Sequence, residues 1–193
     1  MFLFTEPSAD QVRRFIESHR HLPFSYPDVG ATAGTIPVGY TVDRNRVKLG
    51  VGRNMFDCAV AALKNWNHFD LSWVQIVPEE TTLAVGETVA VRVKHFGFWS
   101  LNACKVIYLV EEEAPIRKFG FAYGTLPGHA ESGEERFTVE WHATDNAVWY
   151  DILAFSRPGS RLVKLGSPLA RVLQKRFATD SKRRMAECVN AGC

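Results

Sequence analysis

Cysteine is scarce in this chain, and the few present are not paired in the sequence. The 193 residues include four cysteines, none of them in a C-x-x-C pair. Secreted disulfide scaffolds and dithiol redox sites need denser or closer cysteines than these. We therefore expect free thiols and a cytoplasmic, reducing environment for Cys58, Cys104, Cys188 and Cys193.

Segments that would direct the chain into or across a membrane are also lacking. The start, from Met1 to Phe4, has no basic residue and is followed directly by polar Thr5 and Glu6. A secretory signal peptide has a basic region and a longer apolar stretch. No uncharged run approaches the roughly 20 residues of a membrane-spanning helix, so we expect no membrane span.

The chain has no large excess of charge of either sign. Lysine and arginine total 23, aspartate and glutamate total 21, and the net charge is +2. A balance of this kind produces no overall field that would attract a polyanion. We therefore do not expect nucleic acid as a partner.

The motifs of the commonest hydrolases, nucleotide-binding proteins and zinc proteases are missing as well. The sequence contains no G-x-S-x-G, no phosphate loop, no dinucleotide fingerprint and no H-E-x-x-H. Its nitrogen and sulfur ligands are not clustered at the spacings of a metal site. We expect no cofactor and no metal, and we favour a binding protein over an enzyme.

What the sequence does contain begins with a short helix and an irregular connector. Ser8 and Gln11 form a capping box ahead of apolar residues at helical spacing, which predicts a helix over about 9–19. Prolines and glycines interrupt the chain from Leu22 to Gly39 and predict an ordered connector. We treat residues 1–39 as a helix and connector within or packed on a main domain, 40–193.

The main domain reads as a strand, a helix, a run of strands and a long last helix. Apolar alternation predicts a first strand over 40–51, and Asn54 is expected to cap a helix over 55–66. Ser167 and Pro168 are expected to start a final helix that runs to about Cys188. Between the helices, alternation predicts strands over 73–77, 87–96, 103–111, 118–125, 135–142 and 147–155, joined as an antiparallel meander. Asp145-Asn146 is expected to form a tight turn between the last two strands.

This order of elements is similar to that of the helix-grip fold, an α+β fold in which a curved antiparallel sheet wraps around a long C-terminal helix. The closer resemblance is to a family of bacteria and plants labelled domain of unknown function nineteen-ninety. The segments that carry it are Tyr40 and the strand after it, 124–135, 154–158, Pro168-Leu169, 174–177 and 180–181.

That family is similar to the Bet v 1 and START-like superfamily, whose members mostly bind apolar small molecules and sometimes catalyse cyclase, dehydratase or hydrolase reactions. The resemblance implies an apolar cavity between the sheet and the last helix, and an apolar or amphipathic small molecule as partner. It transfers no active site.

A polar segment rich in glycine, from Tyr123 to Phe137, is expected to be a loop between two strands. It carries His129, Glu131, Glu134 and Glu135. The H-x-E arrangement of His129 and Glu131 supplies an imidazole and a carboxylate, suited to metal binding or acid–base chemistry. Its glycines and Pro127 are also what a surface hairpin needs, and we favour that structural interpretation.

The apolar stripe of the last helix turns polar halfway along. Leu162, Leu165, Leu169, Leu173 and Phe177 share one face, and Arg176, Asp180 and Arg184 continue it. In a helix-grip fold this ladder is a candidate for holding the polar end of a ligand, chiefly through Arg176 and Asp180. Solvent-exposed ion pairs on the helix surface are the alternative, and we favour them.

Aromatic residues on the sheet supply the remaining candidate ligand contacts. Tyr123, Trp141 and Tyr150 have rings suited to line an apolar pocket. Tyr123, Tyr150, His142 and Asp151 are candidates for its few polar contacts. The alternation of the last strand leaves open whether Tyr150 or Asp151 points inward.

Three hypotheses follow, with a non-catalytic small-molecule binding module first. The second is an enzyme of cyclase or hydrolase type that uses His129, with Glu131 as its partner, or Asp151 as base and Arg176 to hold an anion. The third is a protein-interaction scaffold that presents an exposed N-terminal helix and the proline-rich connector.

Overall fold

The computed structural model describes residues 1–159 and 167–192, with the side chains of the last helix described from residue 171 onward. Short 3-10 turns lie at Ala31–Ala33 and Asn67–Phe69. The helices are α1 (Ala9–His19), α2 (Arg53–Lys64) and α3 (Ser167–Asn190), and the strands are β1 (Phe2–Leu3), β2 (Thr41–Val51), β3 (Val74–Val77), β4 (Thr88–Lys94), β5 (Trp99–Glu112), β6 (Ile116–Thr125), β7 (Glu131–His142) and β8 (Ala147–Pro158).

The strands form one curled antiparallel sheet in the order β2-β8-β7-β6-β5-β4-β3, with β1 paired to the start of β5. Consecutive strands from β3 to β8 are neighbours, which is the meander that the alternation predicts. The sheet together with α3 is the helix-grip fold, and this fold-class prediction is confirmed. Strand β1 has only two residues, too few to produce a recognisable alternation.

One face of the sheet, here called the inner face, carries most of the apolar core. Phe121 lies opposite Phe137, and Phe137 lies opposite Ile152, so the three side chains form a row across β6, β7 and β8. All three are fully buried. The helices α2 and α3 and the 3-10 turn at Asn67–Phe69 cover this row. The inner face therefore looks towards the last helix.

The other face, the outer face, is covered by the N-terminal segment. The capping box forms as predicted, since Gln11 donates its backbone N–H to the Ser8 hydroxyl at 3.3 Å. Val12, Phe15 and Ile16 of α1 are buried against a group that includes Leu101. The expectation of an exposed N-terminal helix is therefore wrong for its apolar side, because β4 and β5 already cover it.

The segment 123–137 is mostly strand, so the prediction of a long loop is wrong. Strands β6 and β7 leave only residues 126–130 between them. Gly124 and Gly133 are needed for close packing rather than for a turn. A Cβ at Gly124 would collide with Tyr26, and one at Gly133 would collide with the backbone of Phe155. Glycine in a strand often marks such an approach.

Two local predictions at turns have different outcomes. Asn146 adopts a left-handed backbone at φ 57°, and Asp145 accepts the N–H of Ala147 at 3.1 Å, which confirms the turn between β7 and β8. The prediction that Asn54 caps α2 is wrong, because Gly52 occupies the cap position at φ 95°. This positive φ favours glycine, so the local chain geometry determines the cap.

Helix α3 begins at Ser167, as predicted, and ends at Asn190. Its buried side chains include Ala178, Ser181, Met185 and Val189, spaced three or four residues apart, as expected for one helical face. Of the predicted apolar stripe, Leu173 and Phe177 pack on the core. The predictions for Leu162, Leu165 and the Leu169 side chain fall outside the described residues.

The cysteines do not all follow the expectation of free thiols. Cys104 and Cys188 are free, whereas Cys58 is disulfide-bonded. The expectation is therefore wrong for Cys58, and one argument for a reducing environment is weakened. Among the helices of the described residues, none has the length and apolar character needed to cross a bilayer.

Candidate ligand-binding site

A tyrosine and a glutamate face each other on the inner face, where β6 and β7 pair. Tyr123 is the cross-strand partner of Glu135 and donates its hydroxyl hydrogen bond to Glu135 Oε2 at 2.8 Å. Burial raises the pKa of Glu135 to about 7, although the hydrogen bond from Tyr123 opposes this shift. A carboxyl group with this pKa exchanges its proton near neutral pH.

A second polar pair links the sheet to the last helix. The hydroxyl groups of Tyr150 on β8 and Ser181 on α3 are 3.0 Å apart and hydrogen-bonded, and both residues are fully buried. Because buried hydroxyl groups are costly without partners, this pair favours one position of α3 over the sheet. Tyr150 therefore points inward, which answers the question that the strand alternation left open.

The third polar group of the interior is His68, in the 3-10 turn. It is fully buried, and neither ring nitrogen has a hydrogen-bond partner among the described residues. Burial lowers its pKa to about 3, so the imidazole is neutral at physiological pH. Its ring lies 4.6 Å from the Phe137 ring and 5.7 Å from the Phe121 ring, centroid to centroid.

Where the described side chains of α3 begin, a polar cluster ties this helix to the ends of β2, β7 and β8. Arg171 binds Asp43 through two nitrogens, at 2.5 and 2.8 Å. Gln174 donates to Ser156 at 3.1 Å. Burial raises the pKa of Glu131, and Ser156 and Arg171 oppose the shift. The Asp43 charge also raises the pKa of Glu135, by less than burial does.

Aromatic side chains occupy the space between the inner face and α3, where the family resemblance implied an apolar cavity. Phe177 of α3 packs on Phe69 at 4.7 Å and approaches Phe137 at 6.3 Å, centroid to centroid. Two open cavities lie elsewhere, one of about 660 Å³ beside Trp66 and Phe119 and one of about 370 Å³ beside Trp73 and Asp180. A molecule that binds beneath α3 must therefore displace aromatic rings.

The predicted H-x-E pair is divided between two environments. The His129 Nδ1 accepts the backbone N–H of Glu131 at 3.0 Å, and burial lowers the pKa of this imidazole to about 4. The Glu131 side chain instead belongs to the cluster around Arg171. His129 thus stabilises the turn between β6 and β7, which agrees with the structural interpretation of the motif.

Asp151 lies on the outer face, away from Tyr123 and Tyr150. Arg46 on β2 is 3.6 Å from Asp151 and 2.7 Å from Glu140. Burial raises the pKa of Asp151, and the charge of Arg46 opposes this. Asp151 therefore belongs to a network of ion pairs on the outside of the sheet.

The other ligand-contact candidates lie at the margins of the interior. Trp141 donates to Asn146 at 2.8 Å in the turn after β7. Asp180 accepts a hydrogen bond from the Trp73 indole at 2.9 Å and forms ion pairs with Arg176 at 3.5 Å and with Arg183 at 3.1 Å.

Arg184, the third member of the predicted ladder, pairs with Asp70 instead, at 2.5 Å. Arg176, half of whose side chain is exposed, lies over the Trp73 ring at 4.4 Å. The pairs that form on this part of α3 thus lie beside the cavity of about 370 Å³ rather than beneath the helix.

Tyr123 and Tyr150 can be recognised from the sequence as candidate pocket residues, whereas their pairing with Glu135 and Ser181 is seen only in the structure. Glu135 lies two residues before Phe137 on β7, and residues two apart on a strand face the same side. Its position on the inner face therefore follows from the alternation of this strand. Ser181 follows from its spacing to Ala178 and Met185 on α3. His68 gave no such signal, because a three-residue turn has no periodicity.

Comparison with known proteins agrees with the architecture and the family resemblance. Residues 25–184 match the family described as Domain of unknown function (DUF1990). A UPF0548 protein of Dictyostelium discoideum is 38% identical over 209 residues, covering 99% of this chain and 97% of that protein. A UPF0548 protein of Deinococcus radiodurans is 37% identical over 205 residues, covering 100% of both chains.

Among solved structures, the crystal structure of Ara h 8.0201 superimposes with a TM-score of 0.50. It covers 80% of this chain and 100% of that chain at 10% sequence identity, which is evidence of a shared fold alone. That neighbour is a Bet v 1-like helix-grip protein. The match over residues 25–184 and the two full-length relatives show that this chain belongs to the DUF1990 family.

Proposed function

We propose that this protein binds an apolar or amphipathic small molecule between the inner face of the sheet and α3. The observation that carries the proposal is the Tyr123–Glu135 pair, set beside the fully buried ring of Phe137. An ionisable group in such surroundings costs stability, which a core with only a structural role would avoid. A ligand site needs this combination of apolar walls and a few polar groups.

The polar groups are arranged as an amphipathic ligand would require. The rings of Phe69, Phe137 and Phe177 would contact its apolar body. The Tyr123–Glu135 pair and the cluster around Arg171 would contact its polar end. The geometry thus favours a molecule with one polar end over a simple hydrocarbon.

Room for the apolar body of the ligand beneath α3 would require part of this helix to move. Phe177 rests on Phe69, and it is only partly buried. Further along α3, Ser181 is held by Tyr150, and Met185 is fully buried. We expect the N-terminal half of α3, which has fewer buried side chains among its described residues, to shift while the C-terminal half stays in place.

A tryptophan scan of α3 tests the location. Ala178 is buried and faces the sheet, whereas its neighbour Thr179 is exposed. We expect Ala178→Trp to fill the space and to weaken binding of the fluorescent probe 2-naphthol at least tenfold. The matched variant Thr179→Trp should bind as the wild type does.

Equal binding by both tryptophan variants would contradict the proposed location. Ala178→Leu serves as a milder filling variant if Ala178→Trp unfolds, and circular dichroism checks the fold of each. Native mass spectrometry of the purified wild type should also detect a co-purifying small molecule, whose loss from Ala178→Trp would support the site.

A second candidate function, acid–base catalysis, is favoured by the pKa of about 7 for Glu135. General acids and bases work best when their pKa lies near the operating pH. If the site hydrolyses esters, Glu135→Gln should abolish turnover of the probe 4-nitrophenyl hexanoate. Glu140→Gln, on the outer face, should leave it unchanged, and turnover retained by Glu135→Gln would remove Glu135 from this role.

A further inference from the structure

His68 has hydrogen-bonding capacity that nothing in the described structure uses. A neutral imidazole offers one donor and one acceptor. Both nitrogens of His68 are buried without partners, and leaving them so costs about 1–3 kcal/mol for each group. The surrounding rings of Phe69, Phe121 and Phe137 supply neither hydroxyl nor amide groups.

The nearest ring with a hydroxyl group belongs to Tyr150. Its centroid is 6.3 Å from that of His68, and its hydroxyl is already paired with Ser181. Among the described residues no group therefore satisfies His68, which leaves its two nitrogens available to a bound molecule.

Trp66 lies between His68 and an open cavity. Its ring stacks on the His68 ring at 6.0 Å with 15° between the planes. The same residue lines the cavity of about 660 Å³, together with Leu83 and Phe119. Moving the Trp66 indole would therefore connect the cavity with the imidazole.

Trp66 combines an unfavourable backbone conformation with a buried side chain. It follows the end of α2 with a φ of 57°, a left-handed conformation that is unfavourable for a bulky residue. Its indole has one hydrogen bond, to the carbonyl oxygen of Thr81 at 3.1 Å. The indole itself is only 4% exposed and packs on the Phe121 ring at 4.7 Å, so opening this route displaces ring packing and a single hydrogen bond.

We propose that the ligand enters beside Trp66 and that its hydroxyl group hydrogen-bonds to His68. This inference rests on the proposed function and adds the chemical class of the ligand. A hydroxyl group can donate to one imidazole and accept from another donor. A carboxylate or phosphate would need a cation, which the rings around His68 do not provide, and Arg171 is already paired with Asp43 through two nitrogens. The preferred ligand is therefore a neutral alcohol or phenol with an apolar body.

A comparison of two probes of nearly equal shape tests the contact. The probes are 2-naphthol and 2-methylnaphthalene, which differ by a hydroxyl in place of a methyl group. For the wild type we expect tighter binding of 2-naphthol by about tenfold, the equivalent of one hydrogen bond. The His68→Phe variant should bind both probes equally, and the control His142→Phe, on the outer face, should keep the preference.

The outcomes separate this inference from the proposed function. If both probes bind the wild type equally well, and Ala178→Trp still blocks them, the binding function stands and the role of His68 is overturned. If neither probe binds, both proposals fail. Nitrogen-15 spectra of the wild-type imidazole give a readout that needs no variant, because addition of 2-naphthol should shift the His68 resonances and 2-methylnaphthalene should leave them nearly unchanged.

Discussion

Two glutamates that are adjacent in the sequence have opposite surroundings on the two faces of the sheet. Glu134, on the outer face, accepts hydrogen bonds from the Tyr26 hydroxyl at 2.9 Å, the Gly30 N–H at 2.7 Å and the Thr32 N–H at 3.0 Å. The Thr32 hydroxyl donates to it as well. Glu135, on the inner face, accepts only from Tyr123 among the described residues.

The difference separates a structural carboxylate from a candidate functional one. The hydrogen-bonding capacity of the Glu134 carboxylate is satisfied by groups of the connector of residues 22–39, so this side chain fixes the connector to the sheet. A buried carboxylate that is hydrogen-bonded in this way can favour folding. Glu135 keeps unused hydrogen-bonding capacity, and its pKa is raised to about 7. Neither role can be read from the dipeptide itself, because successive residues of a strand face opposite sides.

The largest effect is expected at Glu134. Replacing it with alanine leaves several buried donors without an acceptor, so we expect Glu134→Ala to lower the free energy of unfolding by about 3 kcal/mol or more. Urea denaturation measures the change. The exposed residue Glu111 provides the control, and a Glu134→Ala midpoint as high as that of Glu111→Ala would show that the network does not hold the connector.

The next effect concerns His68 and acid. Its pKa falls from 6.5 to about 3 on folding, so below pH 6.5 the unfolded chain binds a proton that the folded chain does not. The free energy of unfolding therefore decreases as the pH falls, by about 2 kcal/mol between pH 7 and pH 5 from this group.

The variant His68→Phe should lose this contribution to the acid sensitivity. Thermal melts between pH 7 and pH 5 would show a smaller decrease for His68→Phe than for the wild type and for the control His142→Phe. Parallel pH curves for all three proteins would mean that His68 is solvated or hydrogen-bonded in the folded state.

An effect of opposite sign is expected at Glu135. Its pKa rises from 4.5 to about 7 on folding, so the folded chain holds a proton that the unfolded chain loses in this window. Stability therefore decreases as the pH rises towards 7. We expect Glu135→Gln to be more stable than the wild type by up to about 3 kcal/mol at pH 8 and no more stable at pH 4.

The same exchange at the neighbouring position sharpens the contrast between the two faces. Glu134→Gln should destabilise the protein at pH 8. The glutamine amide NH2 group is a donor, and the groups that surround this position also donate hydrogen bonds. Urea titrations at both pH values measure each change, and a stabilising Glu134→Gln would remove the distinction between the two carboxylates.

The smallest effect is expected at Asp151. Its partner Arg46 is 3.6 Å away, and this arginine also pairs with Glu140. Partly exposed ion pairs of this kind contribute little, so Asp151→Asn should change the free energy of unfolding by less than about 0.5 kcal/mol. It should also leave 2-naphthol binding unchanged, and a loss of binding would return Asp151 to the list of ligand contacts.

The fold follows from patterns that are local in the sequence. The alternation of Phe137, Val139 and Trp141 identifies the inner face of β7, and the residues Ser8 and Gln11 mark the start of α1. Both patterns repeat a geometric period, so they need no knowledge of the rest of the chain. The long loop was predicted wrongly, since Gly124 and Gly133 make room for a distant segment and a neighbouring strand.

The candidate site depends on contacts between distant residues. Tyr123 and Tyr150 could be identified from the sequence as aromatic residues on strands. Their contacts with Glu135 and Ser181 depend on strand register and on how α3 lies over the sheet. The isolation of His68 depends on five surrounding rings from several elements. No short sequence pattern encodes that arrangement.

The most direct test of a ligand beneath α3 is a crystal structure of the full chain grown with 2-naphthol. We expect electron density for the probe between the ring of Phe137 and α3, with Phe177 displaced from Phe69 and the probe hydroxyl within hydrogen-bond distance of His68. Density for the probe only in the surface cavity beside Trp66, with Phe177 still packed on Phe69, would contradict the account.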